Sequence, residues 1–160
     1  MITAHRALAA IALVLGGLAP FAGSPYPPST IDVRRLAKEV AREEDHVTAI
    51  QLANWIKERK RGLRVLDLRT KQEFDDDHVP GSELVSLEAL VTKTRFAKDD
   101  TLVLISDGGA HAAQAWVFVR SLGHQRVYFL RGGMGEWRHD VLDPKTPLGR
   151  YFGERRGDGC

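Results

Sequence analysis

Cysteine is almost missing from this chain: its 160 residues hold one, Cys160, in the last position. A single thiol excludes an intrachain disulfide framework and a cysteine-based metal cluster. Charge of one sign is not in excess either. Lys and Arg number 23 against 21 Asp and Glu, a formal +2 at pH 7. Such a balance lacks the electrostatic footprint of a nucleic-acid binder, so no nucleic acid is expected as a partner. There is no internal repeat and no low-complexity segment. The acidic run Asp75, Asp76, Asp77 does not match a calcium loop and reads as a solvated face. His124 and His139 lack ligand spacing, so neither a metal nor a cofactor is expected. The remaining composition is ordinary for a globular protein, with 43% hydrophobic and 28% charged residues, and the length suits one domain.

Long hydrophobic runs are nearly absent as well. The exception follows Arg6, where Ala7 to Ala19 carries no charge and Pro20 to Gly23 extends it. This has the length of a signal-peptide core with its cleavage region. It is marginal for a transmembrane helix, which wants roughly 20 apolar residues. Ala22 suits the last residue before cleavage, whereas Pro20 stands where a small residue is preferred. Residues 1–23 are therefore read as a signal peptide or an uncleaved membrane anchor. Either places the chain in the periplasm or at the outer face of a bacterial inner membrane. Three prolines in Ser24–Ser29 make 24–31 a stiff linker.

Beyond the linker, Asp32 caps an expected helix to about Glu44, with an apolar stripe of Val33, Leu36, Ala37 and Val40. Residues 32–46 thus form a helical extension. Thr48 opens a second helix with Gln51 at the capping-box position, ended by Gly62. Strands are expected at Leu63–Leu68, Leu84–Val85, Thr101–Ile105 and Arg126–Leu130. The almost wholly apolar TLVLI suits a central parallel strand covered on both faces. A helix over Ala110–Leu122 presents Ala113, Trp116 and Val117, with a second flank at Ala112, Ala115 and Val119. Gly123 stops it. Gly132 and Gly133 mark a turn before a short helix, Met134–His139. This alternation predicts an α/β domain with a largely parallel sheet. From 143 to 160 the prolines and glycines suggest an irregular tail. Trp116 and Trp137 belong to the core, and Trp55 is the aromatic expected to show exposure.

Four segments in order carry a resemblance: VLDLR at Val65–Arg69, FDDDHVPGS at Phe74–Ser82, the strand, loop and helix at Leu102–Gly123, and VYFLRGGMGEW at Val127–Trp137. Together they make residues 47–142 resemble the rhodanese-like domain family. The resemblance implies a five-stranded parallel sheet flanked by helices, with the extra N-terminal helix as an addition. It also implies an active-site loop that begins on a cysteine directly after the central strand. Here that frame runs Ser106, Asp107, Gly108, Gly109, Ala110, His111, Ala112. Serine takes the cysteine position, His111 that of a common arginine, and Ala112 that of a small polar residue. Asp67, Arg69 and His78 fall where the family supports its pocket, and each also suits a purely structural hydrogen-bonding role.

The substitutions weaken one chemistry. Sulfur transfer needs a thiolate, and a serine hydroxyl cannot form a persulfide. Histidine lacks the permanently charged bidentate fork of arginine. Asp107 adds negative charge where an anion would arrive. The expected function is therefore a non-catalytic rhodanese-like module of the cell envelope, binding a protein partner or, weakly, a small anion. The alternative is a sulfurtransferase-related enzyme using another thiol, for which Cys160 is the candidate.

Overall fold

The computed structural model describes residues 32–92, 96–97, 99–143 and 145–156. The expected signal or anchor segment, the proline-rich linker and Cys160 lie outside them. Five strands form one parallel sheet: β1 His46–Val47, β2 Leu63–Asp67, β3 Glu83–Leu84, β4 Thr101–Ile105 and β5 Val127–Leu130, in the order β1-β5-β4-β2-β3. Seven helices are described: α1 Val33–Ala41, α2 Ala49–Lys57, α3 Lys71–Asp76, α4 Leu87–Thr92, α5 Ala110–Ser121, α6 Gly133–Asp140 and α7 Pro147–Arg156.

β4 lies centrally and all five of its residues are buried. Alternate side chains of a strand point to opposite faces, so its apolar run feeds two cores. Val103 and Ile105 join Leu52 and Ala53 of α2, Met134 and Trp137 of α6 and Phe152 of α7. Leu102 and Leu104 join Leu90 of α4 and Ala112, Ala115, Trp116 and Val119 of α5. The expected parallel sheet with helices on both faces is the fold observed. Trp116 and Trp137 are core residues, the former donating from its indole Nε1 to Val127 O at 2.8 Å, and Trp55 is half-buried.

Local chemistry explains most helix starts. Asp32 accepts from Arg35 N at 3.1 Å, and the Thr48–Gln51 capping box forms reciprocally. A third cap, Thr70 with Glu73, opens α3, a helix not among the expected elements. α4 and the two-residue β1 are likewise additions to the expected elements, since neither is long enough for a period to show.

Four expectations need correcting. α1 stops at Ala41, because the chain turns at Glu43, which has φ +56°. α2 ends at Lys57 rather than at Gly62; Arg59 takes the left-handed conformation that glycine usually supplies, and Gly62 serves the turn into β2. On α5 the buried stripe is Ala112, Ala115, Trp116, Val119 and Arg120, while Val117 faces outward. The C-terminal region is not irregular throughout. Pro147 starts α7, a position where its missing N–H costs nothing, and Phe152 lies buried, edge-on to Trp137 at 5.4 Å.

α1 meets the domain through few groups. Leu36 packs against the α5-side core, and Arg120 Nη2 donates to both oxygens of Glu39 at 2.6 Å. The rest of the expected stripe stays open, with Val33 69% and Val40 50% exposed. Among the described residues, no helix is long and apolar enough to cross a membrane.

Candidate functional site

β4 delivers Ser106 as the first residue beyond its last core position, at the carboxyl ends of the parallel strands. Ligands of open α/β sheets bind at that end. Ser106 is buried, and its Oγ accepts from Ala112 N, in the first turn of α5, at 3.2 Å. Gly109 caps that helix with φ +87°, and its Cα faces Leu130 O and Gly132 N so closely that a Cβ would lie 3.2 Å from each. The N–H groups of Gly108, Gly109, Ala110 and His111 have no acceptor among the described residues. They form a short row of donors at a helix start, where the helix dipole favours negative charge. His111 is exposed, and so is Asp107.

The underside of the loop is fixed by the turn after β5. Met134 N donates to Ser106 O at 3.1 Å and Gly135 N to Asp107 O at 3.3 Å. Gly133 sits at φ +58° directly against those two carbonyls, and a Cβ there would overlap both. Gly81 has a similar φ of +79° but open space around it. We expect Gly133→Ala to destabilise the domain by about 1–3 kcal/mol more than Gly81→Ala, the excess being overpacking alone. Equal urea midpoints for the two variants would show that the loop and turn do not press together as described.

Asp67 and Arg69 are brought to one place. Asp67 is fully buried and receives Arg69 N, Nε and Nη2, the last at 2.7 Å. Burial works against the guanidinium charge, but the hydrogen bond and charge of Asp67 outweigh it and hold the Arg69 pKa above its ordinary value. Arg69 Nη2 also donates to Asp77 O at 2.6 Å. The Asp77 carboxylate accepts from Arg138 Nε at 2.8 Å, and Arg138 Nη1 stands 3.7 Å from Asp107 Oδ1. A relay of ion pairs, joined by the Arg69 to Asp77 O hydrogen bond, thus runs from the end of β2 to the loop. Arg138 was missed in the sequence; it lies on α6, 61 residues from Asp77, and nothing local marks the pairing. His78 does not join this relay. It stacks on Phe74 at 4.2 Å, and its Nδ1 is 2.8 Å from Phe74 O.

Among the described residues, no group of three or more His, Cys, Asp or Glu side chains is arranged to hold a metal ion. His139 pairs with Asp140 at 2.6 Å on the surface, which raises its pKa without involving the loop.

The fold agrees with what the chain is similar to. A solution structure of a rhodanese-like domain from Anabaena shares 22% identity over 64% of this chain and 84% of its own, with a TM-score of 0.54. The human single-domain sulfurtransferase shares 20% over 60% and 96%, with a TM-score of 0.53. A protein of unknown function from Rhodopseudomonas palustris, described as a possible tyrosine phosphatase, shares 21% over 73% and 96%, with a TM-score of 0.55. At these identities the likeness is one of fold. No curated protein matches the chain. The model of the rhodanese-like domain matches residues 48–140, from the cap of α2 to the end of α6, and leaves α1, β1 and α7 outside. With more than half of its length matched, the chain belongs to the rhodanese-like domain family.

Proposed function

We propose that this chain is a non-catalytic rhodanese-like module of the cell envelope, and that its loop after β4 serves protein interaction or weak anion binding in place of sulfur transfer. The observation that carries this reading is Ser106. It occupies the buried start of the loop with its Oγ bonded to Ala112 N, where a family enzyme would need a sulfur. The amides of Gly108 to His111, without an acceptor among the described residues, keep the loop receptive to a carboxylate or another small anion. Arg138 adds a cation nearby, but Asp77 and Asp107 neutralise it, so the attraction is modest. A periplasmic or membrane-face location rests on the uncharged run from Ala7 to Ala19.

The test is recovery of the full-length chain from the bacterial envelope after crosslinking, with a parallel assay of thiosulfate and cyanide. We expect an enriched envelope protein and no thiocyanate, with Cys160→Ser unchanged from the native chain. Recovery only as a monomer, without an enriched partner, would overturn the interaction reading. Thiocyanate production that vanishes in Cys160→Ser would establish the alternative, a sulfurtransferase using the terminal thiol.

A further inference from the structure

A groove of about 400 Å³ lies at the β1 edge of the sheet, toward the strand starts and away from the Ser106 loop. It is bounded by α1, α2, β1 and the beginning of β5, and its walls include Glu39, Glu44, His46, Trp55 and Tyr128. No lysine or arginine is among its lining residues.

We propose that this groove binds an alkylammonium group, using the faces of Trp55 and Tyr128 together with the Glu44 carboxylate. Trp55 and Tyr128 are half-buried and meet edge to face at 5.9 Å, which fixes both rings without help from a ligand. Aromatic faces attract cations, and Trp does so best. Lys60 Nζ already lies 4.2 Å from the Trp55 ring centroid, so an incoming ammonium shares Trp55 with Lys60 and relies on Tyr128 and Glu44 for the rest. Glu39 is already satisfied by Arg35 and Arg120. Glu44 is exposed and has no partner among the described residues, so its charge is available to a ligand. His46 also lines the groove, with its Nδ1 2.9 Å from the buried Asp45 carboxylate. A cation in the groove thus finds aromatic surface and a carboxylate without a partner among the described residues.

The test follows the Trp55 indole N–H signal of the isotope-labelled full-length chain in NMR spectra, with n-butylammonium and 1-butanol as probes. Trp137, fully buried elsewhere, serves as the internal control. We expect n-butylammonium to shift the Trp55 signal saturably and 1-butanol, of matched length, to leave it nearly in place. Glu44→Gln, on an exposed side chain, is expected to weaken the binding about two- to fivefold, and Trp55→Phe to remove the assigned signal. A lysine tripeptide bound as tightly as n-butylammonium would identify the natural ligand as a basic side chain. Binding restricted to the free amine would identify a small molecule. Equal shifts from amine and alcohol, a linear response without saturation, or unchanged affinity in Glu44→Gln would each overturn the proposal.

Discussion

Ser106→Cys is expected to let the chain take a sulfur atom from thiosulfate, which the native protein is not expected to do. The new thiol would occupy a buried position that already receives Ala112 N, beside four further amides with no acceptor among the described residues. Donors of that kind stabilise a thiolate and lower its pKa below the free value of about 8.5. The thiolate would attack the outer sulfur of thiosulfate, and sulfite would leave with the electron pair of the broken S–S bond. Mass spectrometry should then find one added sulfur on S106C and none on the native chain. Turnover to thiocyanate should remain slow, because an exposed histidine at position 111 lacks a permanent charge for holding the anion. Adding His111→Arg should accelerate it roughly ten- to hundredfold, the worth of a charge-assisted hydrogen bond. If S106C took up no sulfur while folding normally, the loop would not be the cradle described, and the serine would not be what silences it.

The second large effect concerns stability. Arg69→Ala should cost about 3–5 kcal/mol, because it leaves Asp67 as a buried carboxylate without its counter-charge. It would also release Asp77 O from its donor and loosen the relay toward Arg138. Replacing both partners, Asp67→Leu with Arg69→Met, should recover much of the loss, since desolvating the pair is itself costly. Lys71→Ala provides the contrast. Its ion pair with Asp75 is exposed on both sides, and its loss should cost no more than about 1 kcal/mol. Urea unfolding of the four proteins checks the order. A mild Arg69→Ala, comparable to Lys71→Ala, would mean that water reaches Asp67 and that the end of β2 is looser than its burial indicates.

The same two sites show where sequence reasoning succeeds. The strand TLVLI and the helix start after it are legible in the sequence, because a buried parallel strand and a helix start each leave a local pattern, whereas the reading of Ser106 as the head of the loop rests on the family resemblance. The capping box at Thr48 and the core positions of Trp116 and Trp137 were legible for the same reason. The helix of the tail is hidden in the sequence because its prolines and glycines obscure the spacing of Leu148, Tyr151 and Phe152. Those residues recur at helical intervals after a proline well suited to a first helical position.

By itself, then, the chain's order of residues determined the parallel α/β arrangement and the starts of α1, α2 and α5. Those depend on hydrophobic period, capping chemistry and residue type, all confined to a few neighbouring positions. Tertiary structure alone decided that Glu39 would meet Arg120 across 81 residues, that Arg138 would reach both Asp77 and Asp107, and that Trp55, Tyr128 and Glu44 would border one groove. Long-range pairings arise from the order in which strands are laid into the sheet. That order is set by the sum of both cores rather than by any one segment.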